Sequence, residues 1–277
     1  MTVPPLVQTL PFVAWILLAT LAMGSFTFVV VTQALSDVTP GYVRFSAATA
    51  AILALLTVLM TGGLAGSDAL VIKPGATADS SLLTLILAIF VVVALVYAFA
   101  GGSARVKTGL GAIGVAVGLV ALARAALAWA PTTADAVPLL VQLAVLSFVT
   151  GGSLAAIVLG HWYLVTPKIS ERPLLLQCRM LLAGLIVQAL LFVTWTTLGG
   201  GPGQGPFDAF TSGPVLLVIL RLVITIAFPI VLTWMAWRTA RTRSMESATG
   251  LLYINFAAVM AGTIGAAALY VSNGLLV

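Results

Sequence analysis

Long apolar runs alternate with short polar or glycine- and proline-rich turns along the whole chain. A helix rises 1.5 Å per residue and needs ~20 apolar residues to cross a hydrocarbon core of ~30 Å. Eight runs are long enough, at 9–35, 43–66, 81–101, 108–129, 137–166, 174–199, 213–238 and 247–273. Breakers separate them: Thr39-Pro40-Gly41, Lys73-Pro74-Gly75, Pro131, Pro167, Pro173 and Gly199-Gly200-Gly201-Pro202-Gly203-Gln204-Gly205-Pro206. No window reads as a soluble domain. The expected fold is all-α, a polytopic membrane protein with eight transmembrane helices.

Composition agrees. Of 277 residues, 61% are hydrophobic and 7% charged, and the mean hydropathy is +1.20; soluble domains carry about a quarter charged residues. Twelve Lys and Arg exceed seven Asp and Glu, but the basic residues sit singly in turns, which points to topology and away from nucleic acid. The lone Cys178 excludes an internal disulfide and a thiolate metal cluster. Nothing basic precedes the first apolar run, so the first helix is expected to be retained.

The cations are one-sided. Arg44, Arg105, Lys107, Lys168, Arg172, Arg179, Arg238, Arg241 and Arg243 lie in or beside the turns after helices one, three, five and seven, against Lys73 alone on the other side. The positive-inside rule makes those four turns cytoplasmic and puts both termini outside, in an inner (cytoplasmic) membrane. The 199–206 loop is then outside, as a flexible lid or a docking surface.

The chain divides into four-helix halves, 1–135 and 136–277. Gly24-Ser25 and Gly152-Ser153 lie 128 apart, Thr39-Pro40 and Thr166-Pro167 lie 127 apart, and Ala104-Arg105 with Thr108-Gly109-Leu110 is echoed by Ala240-Arg241 with Thr249-Gly250-Leu251. Four crossings between copies would give parallel repeats about an axis along the membrane normal. Accidental matching of Ala- and Leu-rich helices is the alternative. Small residues such as Gly109, Gly111, Gly114, Gly118, Gly262 and Gly265 suit close helix packing in lipid.

Ionisable groups inside a span cost ~2.5–3.5 kcal/mol on insertion scales. Arg124 lies five residues before Trp129 and can snorkel outward. Arg221 lies eight residues past Gly213, ~12 Å deep at 1.5 Å per residue, so it should face the bundle or a wet cavity, paired with Asp208 or Asp135. Gln177, Leu181, Gly184 and Gln188 form one helical stripe, and Asn255 begins another; both suit a helix interface or a ligand groove.

His161 is the only histidine, six residues before Pro167 at the cytoplasmic edge of helix five. Beside it Trp162 and Tyr163 have the character of an interfacial belt. A neutral imidazole both donates and accepts, so it can bind and exchange protons with a quinone headgroup. Gln177, Cys178 and Met180 begin the next helix at similar depth. Simple hydration of an interfacial histidine is the competing reading.

Other chemistries find little support. One histidine leaves only a His161–Met180 pairing for a haem, no His, Cys, Asp or Glu cluster has metal-ligand spacing, and no Gly-Lys-Ser/Thr follows a strand. A hydrolase lacks an intramembrane acid to orient its base, and every Asp and Glu falls in a turn. An eight-helix chain in two four-helix halves with no haem ligands of its own resembles the membrane subunits of polysulfide-reductase-type respiratory complexes. That resemblance implies a quinol-exchanging anchor for iron–sulfur or cytochrome subunits on other chains. It rests on helix count and halving, and no catalytic residue carries over. The rival expectations are a small-solute, anion-type transporter using Arg221, and a scaffold that only fills space between subunits.

Overall fold

The computed structural model describes residues 6–64, 80–101, 103–166, 169–211 and 214–277. The Lys73-Pro74-Gly75 turn, Asp68, Asp79, Pro167, Lys168 and Gly213 lie outside these. Eight helices are long and apolar enough to cross a membrane, and no strand occurs among the described residues: this is an all-α, multi-pass membrane protein. They are α1 (Leu6–Leu35), α2 (Pro40–Thr61), α3 (Ser80–Phe99), α4 (Ala104–Trp129), α5 (Thr133–Val165), α6 (Arg172–Leu198), α7 (Val215–Arg241) and α8 (Met245–Asn273).

Local chemistry sets the ends. Thr39 caps α2 by accepting from the Tyr42 N–H at 3.4 Å, with Pro40 in the first turn, where a missing N–H costs nothing. Helix α5 starts four residues before the expected 137, because Thr132 accepts from the Asp135 N–H at 3.2 Å and donates to its carboxylate at 2.7 Å. Helix α7 is not regular: Val223–Ala227 is a π-turn in which the Phe228 N–H donates to the Val223 carbonyl. Pro229 explains the widening, since it offers no N–H and its ring crowds the preceding turn.

Helices α1 and α5 form the centre. In their apolar stretches 72% of residues are buried, against 33–39% in α2, α3, α4, α6 and α7 and 56% in α8. The Ser147 hydroxyl donates to the Thr20 carbonyl at 3.3 Å, and Gly24 meets Gly151. Contacts advance together along the two helices, so they run parallel. Around this pair, α2, α3 and α4 close a ring on α1, while α6, α7 and α8 close one on α5; α4 also touches α5, and α8 also touches α1. Leucine, isoleucine and valine side chains cover the outside, as lipid contact requires.

Candidate functional site

The cations of the turns after α1, α3, α5 and α7 gather at one end of the bundle, which also holds the first set of candidate residues. His161 is exposed on the last turns of α5. Trp162 turns toward α2, lying over Gly41 with its ring centroid 6.3 Å from both Tyr42 and Phe45. Gly41 is required there, because an added Cβ would sit 2.8 Å from the Trp162 ring. Tyr163 is buried and donates to the Ser170 carbonyl at 2.5 Å. Together with Leu164, Arg243, Ser244, Met245 and Glu246 it lines a cavity of about 370 Å³ between the end of α5 and the α7–α8 turn.

The five residues expected around a quinone therefore separate. Gln177 is fully buried; its Nε2 donates to Thr32 Oγ1 at 2.9 Å and to Tyr42 Oη at 2.8 Å, and Tyr42 in turn donates to the Ala155 carbonyl at 3.4 Å. This knot ties α1, α2, α5 and α6 together, with Cys178 buried and Met180 half-buried in the apolar packing beside it. Tyr42 joins Trp162 to Gln177, and sequence reading missed it. The available signal was a phenol in the first turn of a span, next to the Thr39-Pro40-Gly41 breaker.

The second set lies toward the other end. Arg221 is 3% exposed. Nε donates to the Val277 carbonyl oxygen at 3.3 Å, Nη1 donates to Thr225 Oγ1 at 2.9 Å, and Gln142 Nε2 donates to the same Val277 oxygen at 3.1 Å. With its amide oxygen toward the guanidinium, the orientation that avoids facing donors with donors, Gln188 accepts from Nη1 at 3.3 Å and from Nη2. The expected pairing with Asp208 or Asp135 is replaced by the oxygens of Val277, Thr225 and Gln188. Asp135 serves the α5 cap, and Asp208 accepts from the Gly205 N–H at 2.6 Å. Chain reversal makes this possible: Gly274 takes the left-handed conformation (φ 72°) and turns Leu275–Val277 back into the bundle, where all three are buried.

Several of the remaining polar groups pair internally, while Asn255 Nδ2 and Tyr270 Oη find no partner. Asn255 Oδ1 accepts from Thr233 Oγ1 at 3.1 Å, Thr150 and Thr263 hydroxyls share a bond of 2.5 Å, and the stripe Gln177, Leu181, Gly184, Gln188 is buried throughout. Arg124 is half-buried, with an unpaired Nε. The 199–211 segment is fastened to the helix ends: the Phe207 N–H donates to Thr196 at 2.8 Å and Gln204 Nε2 donates to the Asn273 carbonyl at 3.3 Å. Among the described residues no group of three or more His, Cys, Asp or Glu comes together.

No protein-family model, curated protein or solved structure matches the chain.

Proposed function

We propose that this protein is a haem-free integral membrane subunit of a larger redox assembly in the inner (cytoplasmic) membrane, anchoring partner subunits and receiving a quinone headgroup at its cationic end. One observation carries the anchoring role: the centre of the bundle is a closed backbone seam. A Cβ on Gly24 would lie 2.6 Å from the Ser147 carbonyl carbon and 3.0 Å from Gly151 Cα. No solute passes between two helices in such contact, and Ser147 beside it donates to the Thr20 carbonyl. A protein whose two central helices leave no path between them works through its surfaces. The redox assignment is supported by the resemblance in helix count and halving, together with the single imidazole, exposed near the cationic end of α5.

Both halves of the reading are testable. Purification from the native membrane should bring down cytochrome or iron–sulfur subunits; a chain that purifies alone, at every detergent tried, refutes anchoring. In the assembly, His161→Ala or Tyr163→Phe should lower quinol turnover with assembly intact, and unchanged turnover in both variants refutes a quinone here. By the positive-inside rule the cationic end is cytoplasmic. A cysteine placed at Gln204 should then label from outside, and one at Thr242 only from inside.

Arg221 favours a second reading, an anion transporter. It is a buried guanidinium with no Asp or Glu among its hydrogen-bond partners, beside a π-turn, a feature frequent at functional sites. Anion uptake abolished by Arg221→Gln in a reconstituted single chain would favour it over the anchor.

A further inference from the structure

The cationic end also holds a cluster that the proposed function leaves unused. Trp237 and Arg241 lie one turn apart on α7, and α6 brings Arg179 to the same indole. The Arg179 and Arg241 Cζ atoms are 5.8 and 5.3 Å from the Trp237 ring centroid, and Arg238 stacks on the neighbouring Trp234 at 5.6 Å. All three arginines are exposed. Two guanidinium groups over one ring repel each other unless an anion joins them. Arg243 is paired with Glu171, elsewhere at this end.

We propose that Arg179, Arg241 and Trp237 form a headgroup site for an anionic phospholipid. The phosphate oxygens would accept from both guanidiniums, held side by side on the indole, as charge-assisted bonds do elsewhere. A lipid is the source, and free phosphate is not, because the same helix continues away from the cluster as exposed apolar surface. Phe228, Val231, Trp234 and Met235 on α7 are all exposed, a track for acyl chains directly below the headgroup. The site is independent of the redox reading, since it uses none of the quinone residues.

The test is lipid retention by native mass spectrometry, on delipidated protein offered phosphatidylglycerol against phosphatidylcholine with the same chains. An arginine at the membrane surface contributes about fivefold to anionic-lipid binding, so Arg179→Gln with Arg241→Gln should cut the phosphatidylglycerol preference roughly 30-fold. Trp237→Phe keeps a ring face for both guanidiniums and should leave the preference within about twofold. Arg105→Gln with Lys107→Gln removes equal charge from the same end and should leave the preference within about twofold. Arg179→Lys with Arg241→Lys keeps charge and fold but lacks the planar stack, and should lose several-fold. An unchanged preference in both arginine double variants, or an equal loss in the Arg105–Lys107 variant, overturns the site. Release of the lipid by millimolar inorganic phosphate overturns its assignment to a lipid.

Discussion

Gly24→Ala tests the seam between α1 and α5 directly. The added methyl would lie 2.6 Å from the Ser147 carbonyl carbon, nearer still to its oxygen, and 3.0 Å from Gly151 Cα. All three are backbone atoms and cannot rotate aside. Carbon contacts settle at about 3.5–4.0 Å, so the helices must part by about 1 Å. A gap of that size forfeits a quarter to a half of the local dispersion energy, here along the most extensive helix–helix contact in the bundle. In lipid such packing is a main source of helix association. We expect a loss of about 3 kcal/mol, the upper end of ordinary overpacking, or roughly 6–12 °C in Tm.

Heating in mild detergent, followed by size-exclusion chromatography of the soluble fraction, measures the shift. The matched control is Gly109→Ala on α4, where nothing lies within 4 Å of the added carbon. There the substitution should be neutral or stabilising by up to about 1 kcal/mol, through lost freedom of the unfolded chain. Equal melting of the two variants would refute a backbone seam, and with it the closed centre on which the anchoring role depends.

Four further outcomes follow from the hydrogen bonds. Thr61→Val should cost about 1–3 kcal/mol in the same assay, because the Trp15 indole loses its 3.0 Å acceptor, while Thr61→Ser should cost little. Gln177→Leu should stay within about 1 kcal/mol of wild type: its Oε1 has no partner, and Tyr42 and Thr32 keep acceptors at Ala155 and Phe28. Gln188→Leu should destabilise more in the wild type than in an Arg221→Met background, since alone it strands a buried charge; additive effects would refute their pairing. Glu171→Gln should change stability by less than about 1 kcal/mol, because its 3.2 Å bond to Arg243 is largely exposed, and any effect should vanish in high salt.

The spans were legible because lipid imposes a length and a composition on each helix, and both survive in a single sequence. Helix ends were harder to place where side-chain bonds decide them. The Thr132–Asp135 cap starts α5 ahead of Pro138, four residues before the apolar run at 137. The π-turn in α7 had one visible cause, Pro229, and no visible position. That Arg221 faces the bundle was also readable, but its partners were not. Nothing in the order of residues says that Gly274 sends Val277 back to Arg221, so the nearest acids looked like the natural counter-charges.

The candidate quinone set fails to converge for a reason that helical geometry supplies. Residues 161, 162 and 163 project about 100° apart around α5. Trp162 therefore reaches α2, Tyr163 turns inward to Ser170 and the cavity beside Arg243, and His161 is left outside. Adjacency in sequence favoured one pocket; a helix distributes neighbours among three faces. The same geometry makes the offset between α1 and α5 informative. Pro11 and Pro138, Thr20 and Ser147, Gly24 and Gly151, and Thr39-Pro40 and Thr166-Pro167 all differ by 127. Two of those pairs touch across the seam, Thr20 with Ser147 and Gly24 with Gly151. A residue that meets its own counterpart lies beside a two-fold axis, so a duplicated four-helix unit would have to place its axis between these helices and put its smallest residues there. On that arrangement the histidine has Ala34 as its counterpart, and any chemistry at His161 belongs to one half alone.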